Sequence, residues 1–283
     1  MSVIKSNPFD TEETGSRQGI GKASEAKLLQ VEGEAVEVER AVTQRGELKL
    51  QRRGEHYELI SGGSFLMATY NGESERLLVS AALDVCRTDS AHVLIGGLGV
   101  GYSLAEAVRH PRCGLATVIE IEDKVIEWNR RFLHVYSNDA IFHPRARVIC
   151  ADLLEWISES EEAGERYNAI CLDIDNGPDW TVFESNAALY GDGGLDTLYR
   201  LLAPGGALSF WSASRSPELL LRLERKFGQA EEIAGAKPER GEPDYVYVGR
   251  KREYRQSCCF AVDRLPTAST SIEPGNDANP QQI

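Results

Sequence analysis

Across 283 residues, 44 Asp and Glu oppose 31 Lys and Arg, leaving a net charge of -13 with 42% hydrophobic residues. Such a surplus of acid repels a phosphate backbone, which disfavours nucleic acid as a partner and suits either a cationic ligand or simple solubility. No run of 18 apolar residues occurs, and Met1 to Glu25 is polar without the hydrophobic stretch of a secretion signal, so no membrane contact and a cytoplasmic location are expected.

Residues 1–24 read as a disordered N-terminus. From Val36 to Thr69 the chain reads as a strand meander with turns at Arg45-Gly46, Arg53-Gly54 and Gly62-Gly63. A connecting helix follows over Glu73 to Leu83, with Leu77, Leu78, Ala81 and Ala82 on its apolar side. We therefore expect a small β-region with its connecting helix over 25–84, an α/β domain over 85–252 and a flexible tail over 253–283.

The α/β domain opens on its most informative segment, His92 to Gly101. Val93, Leu94 and Ile95 form an apolar run that reads as a buried parallel strand, and Tyr102 to Arg109 reads as a helix. Between them Gly97, Gly99 and Gly101 let the backbone approach a ligand closely. A dinucleotide fingerprint needs G-x-G-x-x-G, whereas here the third glycine falls one place early; this spacing suits an adenosyl ligand without a pyrophosphate, such as S-adenosylmethionine or a relative. A purely structural turn is the alternative.

Ala116 to Ile121 reads as the next strand and carries Glu120, 19 residues after Gly101, where an acid can grip both ribose hydroxyls. Alternatively Glu120, Glu122 and Asp123 form the acidic first turn of the following helix, whose buried stripe would be Val125, Ile126, Phe132 and Leu133. A third strand, Ala146 to Cys150, leads to Asp152, which suits either the cap of a helix over Leu153 to Ser158 or a contact to the adenine amino group. A fourth strand, Asn168 to Leu172, delivers Asp173-Ile174-Asp175-Asn176-Gly177-Pro178 at its carboxyl end, the edge where open α/β sheets bind ligands. Trp180, Phe183 and Tyr190 follow and suit either an acceptor wall or ordinary packing. Leu195, Leu198, Tyr199 and Leu202 mark a core helix face, Ala203-Pro-Gly-Gly206 breaks it, Ala207 to Trp211 is a further strand, and Asp244 to Arg250 alternates like an antiparallel one.

Four segments, Val93 to Gly101, Val118 to Leu133, Pro144 to Ile157 and Tyr167 to Pro178, resemble the spermidine synthase family of aminopropyltransferases, within the class I S-adenosylmethionine-dependent methyltransferase fold. Tyr57 to Leu78 is similar to that family's N-terminal β-region and helix start. The resemblance implies a doubly wound, mostly parallel seven-stranded sheet with a small N-terminal β-meander, and an adenosyl donor. It also implies a cationic amine acceptor and a possible homodimer.

Departures from the family's pattern bear on the reaction. In place of G-G-G-D-G-G, Gly99 stands where the family carries the acid that helps hold the amino end of decarboxylated S-adenosylmethionine. In D-x-x-D-P, Asp173 keeps the first acid, which assists deprotonation of the attacking amine, while Asn176 stands at the second and the proline is shifted to Pro178. Asp175 is the candidate to take over part of the second role, since residues two apart share a face in extended chain. Of the family's Tyr-His-Glu cluster, read here as Glu73-Ser74-Glu75, only Glu75 carries over.

The residues expected to act are thus Asp173 and Asp175 in catalysis, and Gly97, Gly99, Gly101, Glu120 and Asp152 around the donor. Glu75, Asn176, Trp180 and Tyr190 are expected around the acceptor. Without the acid at position 99, ordinary S-adenosylmethionine should be admitted, so methylation of a small amine or related nucleophile is the leading expectation. Polyamine aminopropyl transfer from the decarboxylated donor is the alternative, and a non-catalytic cofactor- or polyamine-binding protein the second. No metal site is expected, and the six cysteines, including Cys150 and Cys171 in strands and the adjacent Cys258 and Cys259, read as reduced residues.

Overall fold

The structure is a computed structural model that describes residues 33–179, 181, 184–237 and 241–253. The segment 1–24, the tail beyond Glu253 with Cys258 and Cys259, and the candidates Trp180 and Phe183 lie outside the described residues.

The meander takes the expected form. Strands β1 (Ala35–Thr43), β2 (Gly46–Arg53), β3 (His56–Ser61) and β4 (Ser64–Ala68) pair antiparallel in sequence order, each turn falling on a glycine with positive φ. Leu48, Leu50 and Leu59 on one face join the hydrophobic core of the second sheet, while β1 is the solvent-facing edge.

Helix α1 (Glu73–Val85) buries Leu78, Val79, Ala82 and Leu83, and the Ser209 hydroxyl donates to the Leu78 carbonyl at 2.9 Å. Rather than merely bridging two regions, it covers one face of the larger sheet. That sheet comprises β5 (Ala91–Gly96), β6 (Cys113–Glu120), β7 (Ala146–Cys150), β8 (Tyr167–Leu172), β9 (Leu202–Ser212), β10 (Ala230–Ala234) and β11 (Tyr245–Arg250), in the order β10-β11-β9-β8-β5-β6-β7. Five strands pair parallel, β11 runs antiparallel to β9, and β10, paired antiparallel with β11, runs in the same direction as the five. The chain therefore has the doubly wound, seven-stranded architecture expected, its strand order reversing between β5 and β8.

Helices α2 (Tyr102–Arg109), α3 (Asp123–Trp128), α4 (Leu153–Glu162), α5 (Ala187–Tyr190), α6 (Asp192–Leu201) and α7 (Pro217–Phe227) follow the strands. Because helices cover both faces of the sheet, β11 is buried along nearly its whole length instead of alternating between core and solvent. Four further differences from the sequence reading have local causes. After Trp128 the chain turns through a π-helical segment, Asn129–Leu133, which shifts the phase of the stripe; Trp128 and Leu133 are buried, and Phe132 stacks on Tyr57 of the meander. Helix α4 runs four residues past the expected Ser158. Strand β9 begins already at Leu202, and a register shift against β8 absorbs the Ala203-Pro-Gly-Gly206 break. Cys150 is exposed, because β7 is the sheet edge, whereas Cys86, Cys113 and Cys171 are buried.

Candidate active site

The carboxyl ends of the parallel strands converge on a cavity of about 310 Å³ roofed by β2 to β4 of the meander. Its floor is the glycine turn after β5. Gly97 and Gly99 line the cavity and have φ of +89° and +52°. A Cβ on Gly97 would stand 2.3 Å from the Asp173 carbonyl, so only glycine lets the turn pass the end of β8. Gly101, with φ of +94°, caps α2 and faces Asn129 and Ser137 rather than the cavity; its place is in the turn itself. The Asn129 side-chain amide fixes that turn by donating to the Gly99 carbonyl at 2.7 Å.

Glu120 ends β6 at the cavity wall, 8% exposed. Its carboxylate accepts from the Leu98 backbone N–H at 2.8 Å and from the Glu122 N–H at 2.9 Å. Burial pushes its carboxyl up, opposed by these two donors, which favour the charged form. Each oxygen keeps a lone pair, so the group is rigidly aimed and still able to accept from ribose hydroxyls.

Asp152 performs the capping role and also lines the cavity: one oxygen accepts from the Leu154 N–H at 2.8 Å and the other from Arg45 at 2.9 Å. Arg45 belongs to the β1–β2 turn, where Thr43 also donates to Glu122 at 3.2 Å, so this turn closes over the part of the cavity lined by Glu122 and Asp152. Sequence reasoning missed Arg45, which carries no local signal of its long reach.

Met67 on β4 was likewise missed. Its Sδ accepts from the Val100 N–H at 3.0 Å, and a Cβ at Gly99 would lie 2.2 Å from that sulfur. The thioether thus fills the volume into which a side chain at position 99 would project.

At the other end of the cavity stand Glu75, Asp173, Asp175 and Asp244, with Asn176 and Trp211 beside them. Glu75 and Asp175 are each 6% exposed. Asp173 is held by its own N–H, which donates to the Gly96 carbonyl at 3.0 Å. Burial, then the charges of Glu75, Asp244, Asp175 and Glu120, drive its carboxyl well above the ordinary aspartate range. The chain bends from Ile174 to Asn176, so the extended-chain argument for pairing Asp173 with Asp175 does not apply, although both reach the cavity.

Tyr190 does not line it. Its ring packs on Phe210 at 5.1 Å between centroids, and its buried hydroxyl has no hydrogen-bond partner among the described residues. Burial, with Asp175 and Asp173 nearby, pushes that hydroxyl's pKa up.

Asp244 was not foreseen, although a signal existed. A strand antiparallel to the others begins at the edge where they end, so the residue preceding β11 had to arrive at the ligand-binding edge. In all, Glu75, Glu120, Glu122 and Asp152 line the cavity together with Asp173, Asp175, Glu242 and Asp244, and Arg45 is the one cation of that lining among the described residues.

A glycine turn at a strand end and a buried acid one strand over stand at the carboxyl edge of a doubly wound α/β sheet, the edge where open α/β sheets bind ligands. The spermine/spermidine synthase domain matches residues 76–222. The chain belongs to that family. It is 27% identical over 202 residues to polyamine aminopropyltransferase 1 of Hyperthermus butylicus, covering 69% of this chain and 64% of the relative. It is 33% identical over 126 residues to polyamine aminopropyltransferase 1 of Streptomyces coelicolor, covering 44% and 22%. The chain thus spans less than two thirds of these relatives' length. Among solved structures, a spermidine synthase in complex with the transition-state analogue AdoDATO aligns with a TM-score of 0.62 at 16% identity over 76% of this chain and 72% of that one. Spermidine synthase from Thermotoga maritima aligns at 0.61 and 15%, over the same shares. Among the described residues no helix is long and apolar enough to cross a membrane.

Proposed function

We propose that the protein is an aminopropyltransferase that uses decarboxylated S-adenosylmethionine to alkylate a cationic amine. The observation that carries this reading is the acid lining the cavity: among the described residues, seven acidic side chains besides the proton-holding Asp173 stand with one cation, Arg45, which is itself paired with Asp152. Intact S-adenosylmethionine would bring a carboxylate into that field, and like charges brought together in an enclosed site cost several kcal/mol, on the order of the buried-pair penalties. The decarboxylated donor brings only positive charge. This overrides the argument from Gly99 alone, which pointed to methyl transfer: removing one acid does not invite an anion when so many others remain. The likeness to polyamine aminopropyltransferases supports the same choice.

On this reading Glu120 accepts from the ribose hydroxyls, Asp152 borders the adenine, and Gly97 and Gly99 let the backbone lie against the adenosyl group. The donor supplies a sulfonium-activated carbon. The acceptor nitrogen forms its bond to the propyl carbon as the carbon–sulfur bond breaks, the electron pair leaves on sulfur as a neutral thioether, and the amine proton passes to Asp173. Because the leaving group is already activated, alignment supplies most of the acceleration, up to ~7 to 11 kcal/mol in favourable models. The raised pKa of Asp173 suits it to take a proton from an ammonium ion and release it afterwards.

Incubating the protein with diaminobutane and, separately, with each donor tests the reading by mass spectrometry. Aminopropylated amine formed from the decarboxylated donor is expected; a methylated amine formed from intact donor, or no product from either, would overturn it.

A further inference from the structure

The acceptor end of the cavity has a directional structure. Glu75 lies deep on the first turn of α1, and Glu242 is exposed at the rim, with its carboxylate accepting from the Tyr245 hydroxyl at 3.4 Å. Asp244 is intermediate between them in burial. Its backbone carbonyl accepts from the Gly235 N–H at 2.7 Å, which closes the β10–β11 hairpin, and its side-chain Oδ2 accepts from the Ser74 hydroxyl at 2.9 Å. The same hydroxyl lies 3.0 Å from Glu75 Oε2. One serine hydroxyl on α1, with a single proton to donate, therefore lies within reach of two acids, and its bond to Asp244 joins two elements far apart in sequence.

Asn176, by contrast, carries no charge to neutralise an ammonium, and its backbone carbonyl is committed to the Ala213 N–H at 3.0 Å. Asp175 is buried, near the Tyr190 hydroxyl, which has no hydrogen-bond partner among the described residues. The acid whose charge bears on Asp173 most strongly after Glu75 is Asp244, ahead of Asp175.

We propose that Asp244, oriented by Ser74 near the cavity mouth, is the specificity residue that binds the remote ammonium of a diamine acceptor. The inference rests on the amine-acceptor reading of this cavity given above. Asp173 then faces the reacting nitrogen and Asp244 the non-reacting one. A monoamine uses the first site alone; a diamine uses both. Ser74 is a positioning residue, because its hydroxyl directs the carboxylate without touching the substrate.

Titration calorimetry with diaminobutane and butylamine, on the full chain without donor, tests the assignment. The wild type should bind the diamine at least about tenfold more tightly than the monoamine, and Asp244→Asn should erase most of that preference by weakening diaminobutane far more than butylamine. Asp244→Glu should restore much of it. Ser74→Ala should give an intermediate loss, and it provides an independent reading if the Asn variant folds poorly. Equal affinity of the wild type for both amines, or a diamine preference that survives in Asp244→Asn or is untouched in Ser74→Ala, overturns the proposal. Aminopropyl transfer with a binding preference indifferent to Asp244 sinks this inference and leaves the reaction standing. An Asp244-dependent preference without any transferred product does the reverse.

Discussion

Asp173 is the residue at which the fold meets the proposed chemistry. Strand β8 ends there, its backbone is held against β5, and its carboxyl sits among four other acids that raise its pKa. In the folded state it keeps a proton that the unfolded chain would release. Above the ordinary aspartate range the folded state therefore binds more protons than the unfolded one, and the contribution of this group to stability falls as pH rises until its elevated pKa is passed. Asp173→Asn removes that penalty. We expect the variant to melt higher at pH 7, by roughly 2 to 4 °C for each kcal/mol relieved, and to lose the corresponding slope in a series of melting curves against pH. Turnover should fall by about 10² to 10⁴, the usual worth of a positioned proton acceptor, with donor affinity nearly intact. In the wild type, kcat/KM should rise with pH through the elevated pKa of this group; a flat profile would remove Asp173 as the base.

At the scale of elements, the glycine turn and the meander strand above it behave as one unit. A side chain at position 99 would strike Met67, and the Val100 N–H already uses that sulfur as acceptor. Gly99→Asp should thus destabilise the fold by about 1 to 3 kcal/mol, the cost of a strained, overpacked position. Adding Met67→Ala should recover part of that loss, with a coupling of about 0.5 to 3 kcal/mol in a double-mutant cycle read by denaturant melts. Strict additivity would show that the two positions do not share space. The turn and its strand were legible in the sequence because Val93 to Ile95 is a buried parallel run followed by glycines, both local signals. Met67 was not, since a lone methionine in a short strand says nothing about which distant backbone it meets. The π-helical turn after Trp128 escaped for a related reason: a periodic stripe presumes one helix pitch, and tertiary packing of Trp128 and Leu133 overrode it.

For the whole molecule, the position of Glu120, Asp152 and Asp173 at the carboxyl ends of their strands followed from pattern, because parallel sheets place ligands at one edge, while the doubly wound seven-stranded sheet was implied by the family resemblance. What pattern could not supply was the sum of charge that the fold gathers. Arg45, Glu242 and Asp244 come from two hairpins at opposite ends of the described chain, and only their meeting over one cavity reveals eight acidic side chains and, among the described residues, a single cation. The acid missing at Gly99 argued locally for an ordinary methyl donor, whereas the assembled field argues against its carboxylate. The most direct test is therefore to titrate the protein with intact and with decarboxylated S-adenosylmethionine under identical conditions. The account predicts that the decarboxylated compound binds at least about tenfold more tightly, equivalent to about 1.4 kcal/mol. Equal or tighter binding of the intact donor would contradict it.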